Sequence, residues 1–487
     1  MSQSEDLKTD REKKIADLRA QGINPYPSDT NQSHWISDFF ESFAVLESGE
    51  NTVTLVGRVV AKREHGALAF LDIFDGTGKI QAFCSQEQMG EENYDALLSA
   101  ISTGDFLEVS GTAFVTKRGM QAIKTTNWRV LTKAVQNIPT EHFGIKDEDE
   151  RYRKRYLDLL LDQELRDLFV KKAKFWDVTR AFMKRHNFLE VETPTLEVTT
   201  GGAEARPFKT YHNDYDMDVY LRISIGELWQ KHLMAAGIPK TFEIGRAYRN
   251  EGTSPEHLQE FTNLEFYWAY ADYKKGMELV RELYIEIAQQ VFGTTKFEAR
   301  GHAFDLADQW REIDYVGEIE AQTGVHIISA TEAQMKAKLE EFGVNYEGEN
   351  RERLTDTLWK YCRKSIAGPA FLVNHPKLVA PLAKARADGQ TVEMFQPIIA
   401  GSEVGRGYSE LNDPIDQRER FEIQQQLLDA GDEEAMMPDW EFVDMLEHGM
   451  PPTCGFGFGE RLFAFLAGKS LRETQYFPLM KPKVKEE

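Results

Sequence analysis

Arg249 and Arg461 are the residues whose setting points most directly to chemistry. The first follows the alternating run FEIGRAY, and the second belongs to the glycine-rich GFGFGERL. A guanidinium presents fixed donors to phosphate oxygens and keeps its charge at any working pH. The glycine-rich run reads as a strand-to-helix turn that lets a ligand approach the backbone and places Arg461 where a helix begins. Two arginines so placed suit a triphosphate, although a surface ion pair explains either one alone equally well. Two other signals are decoys. AGKS at 467–470 lacks the first glycine of a phosphate-binding loop, since Phe463 stands there. GFGFGERL at 455–462 has neither the GxGxxG spacing nor the βαβ frame of a dinucleotide site.

The strands that carry Arg249 also carry other charges. In steps of two, Phe242, Ile244, Arg246 and Tyr248 share one face, and Glu243, Gly245, Ala247 and Arg249 the other. After a loop of Gly, Ser and Pro, Phe261, Asn263, Glu265 and Tyr267 oppose Leu264, Phe266, Trp268 and Tyr270. The second strand therefore presents a ring, a carboxylate and a phenol on one side and an apolar surface on the other.

The elements around this pair follow from composition and period. REKKIADLRAQG has helical spacing through Ile15 and Leu18 and ends in a Gly and Pro stop. Next come VTLVGRVV, LAFLDIF, KIQAFC, FLEVSGTAFVT and TNWRVLTK, five strands that fit a small barrel of the OB type. Its hairpin turns at 75–78 and pairs Phe74 with Lys79, Asp72 with Gln81 and Phe70 with Phe83. Leu71, Ile73, Ile80 and Ala82 then face the core. The opposite face gathers aromatics with Lys79, Gln81 and the upstream AKREHG. That mixture suits single-stranded bases, which need stacking partners and edge hydrogen bonds. A face covered by another domain is the alternative of equal weight. The charge-dense run at 141–167 reads as a solvated helix or hinge. Beyond it Leu165, Leu168, Phe169, Trp176 and Met183 keep helical spacing, and FLEVETPTLE is extended and broken at Pro194. The remainder has no regular βαβ rhythm, so a mainly antiparallel sheet flanked by helices is expected, an α+β fold.

At 487 residues the chain has ample core for two or three domains without metal or disulfide support. A net charge of -22 argues against a non-specific nucleic-acid coat protein but leaves room for a local basic groove. Three scattered cysteines form no CxxC unit and suit a reducing cytoplasm. No apolar run is long enough for a membrane helix, and the N-terminus lacks the apolar stretch of a secretory signal, so no membrane association is expected.

FLEVETP, FEIGRAYRNEG with EHLQEFTNLEFYWAYADY, and GFGFGERL resemble, in order and spacing, the three signature motifs of class II aminoacyl-tRNA synthetases. GYSELNDPIDQRERF, EHGMPPTCGFGFGERL, RYRKRYLDLL and GGAEARPF resemble the lysyl enzymes of the subclass that also holds the aspartyl and asparaginyl ones. The resemblance covers nearly the whole chain, least clearly 304–368. It implies a helical extension at 1–50, an OB-fold anticodon-binding domain at 51–140, a linker at 141–165 and a class II catalytic domain at 166–487. It implies ATP-dependent activation of L-lysine with magnesium (Mg2+), transfer to tRNA(Lys), a homodimer and a cytoplasmic location.

Residue by residue, the resemblance gives Arg249 the α-phosphate of ATP and the substrate carboxylate, and Arg461 the γ-phosphate. Glu251 and His257 occupy the matching loop positions, and Phe261 stacks on adenine. Glu265, Tyr267 and Glu410 receive the lysine side chain; Glu227 and the Gly202 backbone take its α-amino group. Arg63, Phe70 and Gln81 match the residues that hold the central uridine of the anticodon. Physics supports the acidic cage, because a buried ammonium is costly unless paired, and unpaired carboxylates reject neutral or anionic amino acids. The chain departs from the family pattern in places. Arg406 replaces an asparagine and is expected to serve the same carboxylate; Gln396 replaces an acidic magnesium ligand, while Glu403 remains. The loop RISIGEL carries one extra residue, and Leu258 and Gln259 replace Asn and Pro. Competing readings are an aspartyl or asparaginyl ligase, a ligase that modifies lysine on a protein, and a tRNA-binding relative with an inactive site.

Overall fold

A computed structural model describes residues 3–139, 145–202, 205–252, 254–346, 348, 350–430 and 435–483. The expected boundary at 140/141 lies outside these, as do Ala203 and Glu204 of GGAEARPF. The chain forms two compact units, Met1–Gln163 and Glu164–Glu487.

The first unit is a closed barrel of β1 (Thr52–His65), β2 (Leu68–Phe74), β3 (Lys79–Ser85), β4 (Phe106–Val115) and β5 (Gln121–Thr132), in the order β1-β2-β3-β5-β4. The β2–β3 register is the one its sequence predicts, with Phe74 opposite Lys79, Asp72 opposite Gln81 and Phe70 opposite Phe83. Asp75 fixes the turn by accepting from the backbone N–H of Thr77 at 2.8 Å and Gly78 at 3.0 Å. Leu71, Ile73, Ile80 and Ala82 are buried as expected. The first strand is longer than its apolar run: past a bulge between Val59 and Ala61, AKREH continues the ladder and sets Arg63 opposite Phe70. The polar side chains do not oppose backbone pairing with β2, because Arg63, Glu64 and His65 stay exposed.

The N-terminal helix Gln3–Ala20 buries Ile15 and Leu18 and is pinned by Arg11, which donates to the carbonyls of Ala134 and Thr103, each at 2.8 Å. In the charge-dense run the helices Glu148–Arg153 and Arg155–Leu161 are not simply solvated. Arg155 and Asp158 are buried and paired at 3.0 Å.

The second unit opens with the helix Gln163–Arg185, whose buried face includes Leu165, Leu168, Phe169 and Met183; Phe175, rather than Trp176, points inward. After it come β6 (Leu189–Glu190) and a small sheet of β7 (Leu196–Glu197), β8 (Lys209–His212) and β9 (Met217–Leu221). The hairpin β10 (Lys240–Tyr248) and β11 (Glu260–Ala269) follows, then the ribbon of β12 (Lys296–Ala299) and β13 (His302–Asp305). The main sheet is completed by β14 (Arg311–Asp314), β15 (Ala370–Val373), β16 (Met394–Ile399), β17 (Ser402–Glu403), β18 (Arg406–Ser409) and β19 (Thr453–Gly459). Its order is β14-β15-β16-β18-β19-β11-β10-β6, with β17 on β16. Pairing is antiparallel except at β10 with β6 and β14 with β15, as expected for a mainly antiparallel sheet. The stretch 304–368 adds the helices Tyr315–Thr323, Glu332–Glu341 and Arg351–Cys362, which close their own apolar core around Ile319, Leu339 and Trp359.

Strand β19 shows why GFGFG is written as it is. Phe456 and Phe458 are buried on one face, where the Phe456 ring stacks on Phe395 at 5.3 Å. Gly455, Gly457 and Gly459 leave the other face bare. A Cβ on Gly455 would meet Glu410 Oε1 at 2.1 Å, and one on Gly459 would meet Asn263 Oδ1 at 2.1 Å.

Candidate active site

The bare face of β19 floors a cavity of about 210 Å3 bounded by β11, β18 and the start of the helix Glu227–Ala235. All six residues assigned to lysine, Gly202, Glu227, Glu265, Tyr267, Arg406 and Glu410, line it together with Arg249. Glu265, on the face of β11 read from the sequence, accepts from the Ile225 N–H at 2.8 Å and from the Tyr267 hydroxyl at 3.2 Å. Burial, then the charge of Glu227, pushes its pKa up to about 7. Burial likewise raises Glu410 to about 8, against the opposing pull of Lys231. Gly202 has φ +90, and a Cβ there would lie 2.7 Å from that of Glu227, so only glycine brings the backbone this close.

A second cavity, of about 290 Å3, holds Arg249, Glu251, His257, Phe261, Gln396, Glu403, Arg406 and Arg461. Arg249 sits just past β10, with its N–H on the Gln259 carbonyl at 2.8 Å and its guanidinium 5.4 Å from the centre of the Phe261 ring. Burial lowers the pKa of both Arg249 and Arg461, against the pull of Glu251 and Glu265 on the first and of Glu403 on the second. Among the described residues neither arginine has a salt-bridged carboxylate, so both are held ready for an anion. His257, whose Nδ1 lies 2.7 Å from the Ser254 hydroxyl, is driven down to about 4 by burial and by Arg461 and Arg249, and is neutral at pH 7.

The acidic end of this cavity is sparse. Glu403 accepts from the Trp359 indole at 2.5 Å and lies 3.4 Å from Arg363. The Gln396 amide oxygen is 2.8 Å from His375 Nε2, and burial keeps that imidazole neutral, with a pKa near 3. Glu403 lines this cavity beside Glu251 and Glu256. Among the described residues no three His, Cys, Asp or Glu side chains converge on one point, so magnesium would rely on phosphate and water oxygens for most of its shell.

Arg249, Asn263, Arg406 and Gly457 line both cavities. A carboxylate in the first and a phosphate in the second would meet there. Arg406 is exposed at this junction and is steadied by donating to the Val379 carbonyl at 2.6 Å.

In the barrel unit Arg63, Phe70 and Gln81 lie on one face, arranged about Asp72. Arg63 donates to both Asp72 oxygens, at 2.8 and 3.1 Å, and Gln81 donates to one at 3.3 Å. Phe70, Phe83 and Phe114 form a row with centroids 5.5 and 5.6 Å apart.

Sequence reasoning missed three residues that line or abut the first cavity. Asn263 was placed on the correct face without a role. Tyr408 donates to Glu227 at 2.5 Å. Lys231, 1% exposed, reaches Glu227 at 2.8 Å and Glu410 at 2.6 Å. Its signal is the Glu-to-Lys spacing of four in ELWQK, a common helix-surface pair.

Comparison with known proteins agrees with this geometry. Residues 147–481 match the family described as tRNA synthetases class II (D, K and N), and 53–131 match the OB-fold nucleic acid binding domain. The lysine--tRNA ligase of Thermotoga maritima is 40% identical over 489 residues, covering 99% of this chain and 97% of that protein. The lysine--tRNA ligase of Roseiflexus sp. is 40% identical over 486 residues, covering 98% and 99%.

Proposed function

We infer the reaction from one premise: the chain belongs to the class II tRNA synthetases of the D, K and N group. Enzymes of this class use ATP, and this one is a lysine--tRNA ligase. The observation that carries the amino-acid assignment is the first cavity, which three carboxylates line together with Arg249 and Arg406, a charge pattern that fits two ammonium groups and one carboxylate.

Glu265, Tyr267 and Glu410 receive the ε-ammonium group, and Glu227 with the Gly202 backbone takes the α-ammonium group. The lysine carboxylate attacks the α-phosphorus in line, the bond to the bridging oxygen of the β-phosphate breaks, and pyrophosphate leaves. Arg249 neutralises charge on the α-phosphate, Arg461 holds the γ-phosphate, Glu251 and His257 border the triphosphate, and Phe261 stacks on adenine. Much of the acceleration is positioning and charge stabilisation. Glu403 would hold magnesium, which supplies positive charge to the phosphate oxygens when bound. The terminal ribose hydroxyl of tRNA(Lys) then attacks the carbonyl carbon and AMP leaves.

The barrel at 51–140 reads the anticodon through Arg63, Phe70 and Gln81, with 1–50 as its extension and 141–165 as the linker to the catalytic domain at 166–487. A homodimer is supported by Val170, Leu189, Leu196 and Val198, apolar side chains left exposed around the first signature motif. Three buried free thiols accord with a cytoplasmic location. Among the described residues no helix is long and apolar enough to cross a membrane.

The test is ATP and pyrophosphate exchange with lysine, aspartate, asparagine or no amino acid. Exchange with lysine alone is expected. Exchange with aspartate or asparagine, or with none, would overturn the assignment.

A further inference from the structure

Lys231 does not line the amino-acid cavity, yet it is the cation around which the cavity's acids are arranged. It lies one turn along from Glu227 in the helix Glu227–Ala235, with its ammonium between Glu227 Oε1 and Glu410 Oε2 at 2.8 and 2.6 Å. The rings of Tyr267, Tyr408 and Phe442 surround it at 5.6 to 5.8 Å. Glu227, Glu265 and Glu410 are 5%, 8% and 2% exposed, so bulk water does little to offset their charge. Glu410 Oε2, 2.6 Å from the Lys231 ammonium, takes its donor from that lysine, so the two groups form a buried, hydrogen-bonded ion pair.

Resting on the lysine reading above, we propose that Lys231 is a built-in counter-ion that sets how many positive charges the amino-acid pocket demands. It neutralises one of the three carboxylates and leaves a deficit of two, which the α- and ε-ammonium groups of one diamino acid fill. Without Lys231 the pocket would hold three negative charges against a dicationic head and tail, and one carboxylate would have to keep a proton. With Lys231 present, an amino acid carrying a single ammonium group leaves one buried charge unmatched, and rejection follows without a steric gate. Lys231 is thus a positioning residue: it holds Glu227 and Glu410 at a fixed separation, and through them selects both ends of the substrate.

Several facts support its being charged. Burial alone would lower its pKa, but Glu227 and Glu410 outweigh burial and hold it above the usual value. The groups facing these carboxylates are Tyr267 and Tyr408, both kept protonated by burial, and Arg249 and Arg406 at the mouth. In the empty pocket part of the excess negative charge is therefore held by protons on Glu265 and Glu410, which the substrate ammonium groups displace.

The experiment is lysine-dependent ATP and pyrophosphate exchange on the full chain and on Lys231→Met, Glu410→Gln and the double variant. Exchange by the unmodified chain with lysine tests the parent reading; the variants test this one. Lys231→Met is expected to raise the lysine KM about tenfold or more while kcat changes less than about threefold, because the lost charge acts on binding. The double variant restores a deficit of two, and is expected to recover at least about threefold of the KM lost in Lys231→Met. An unchanged KM in Lys231→Met, or additive losses in the double variant, would overturn the proposal. Should Lys231→Met fail to fold, calorimetric titration of lysine into the unmodified chain, in two buffers of different ionisation enthalpy near pH 7, decides the matter. Release of about one proton per lysine is expected, and no release or proton uptake would overturn it.

Discussion

The two cavities of the catalytic unit handle charge in opposite ways. The cavity proposed for the amino acid has three almost wholly buried carboxylates, and two of them pair with a buried lysine. The cavity proposed for the nucleotide presents Arg249 and Arg461 without salt-bridged carboxylates among the described residues, and its His257, bonded to Ser254, is neutral. The difference follows from what each ligand brings. A free amino acid is small and its end groups are single charges, so discrimination needs a fixed charge count in a dry site. A triphosphate arrives with several negative charges and its own metal, so arginines held apart and unpaired lose little before it binds.

The comparison breaks most sharply at the residue the two cavities share. Arg249→Ala is expected to lower the rate of adenylate formation about a thousandfold, a magnitude usual for one preorganised donor to developing charge. A single-turnover measurement at saturating lysine and ATP checks this, and a loss confined to KM would mean that Arg249 only binds. Glu265→Gln should act on one cavity alone. The lysine KM should rise about a hundredfold through an uncompensated buried ammonium, with the ATP KM nearly unchanged; equal shifts in both would erase the contrast. The barrel face supplies a control outside both cavities, being built of rings. Phe70→Ala is expected to weaken aminoacylation of tRNA(Lys) about tenfold, the loss of one base stack, and to leave pyrophosphate exchange intact.

The smallest expected effect concerns pH. Glu265 and Glu410 have folded pKa values of about 7 and about 8, above the ordinary 4.5, so the folded chain binds protons that the unfolded chain releases. Their contribution to stability is therefore complete below about pH 4.5 and is lost as pH rises through 7 to 8. His257 runs the other way. Its folded pKa of about 4 lies below 6.5, so its contribution is present above about pH 6.5 and lost as pH falls through 4. In the proposed binding mode lysine replaces the protons of the two carboxyls with ammonium groups. The thermal protection given by lysine should thus grow by a few degrees from about pH 6 to about pH 8, and protection by a non-hydrolysable ATP analogue should not follow that trend.

Much of this was legible in the sequence where pattern and chemistry coincide. Period two on both strands put Asn263, Glu265 and Tyr267 on one face and fixed the register of the β2–β3 hairpin, because side-chain alternation leaves no latitude for a slip. The two cavities gather the residues that the family resemblance assigned to lysine and to ATP. What escaped depended on burial and distance. An i,i+4 Glu and Lys pair is nearly always a surface feature, so nothing in ELWQK distinguishes Lys231, 1% exposed, from a solvated lysine. The same limit hid the buried pair of Arg155 and Asp158 inside a run that reads as solvated. Trp359 and Glu403 are 44 residues apart, and their contact follows from how the helices of 304–368 pack on the sheet, which periodicity does not specify.

Strand β19 has a consequence for anyone wishing to retune this protein. Gly455 and Gly457 line the first cavity, and a side chain at Gly455 would strike both Glu410 and the Tyr267 ring, at 2.1 and 2.6 Å. The floor cannot be raised to suit a shorter diamine without displacing the acids that recognise it, nor lowered, since glycine has nothing left to remove. Laboratory evolution toward a new amino acid should therefore leave 455–459 untouched and accumulate its changes on the helix Glu227–Ala235 and on β18.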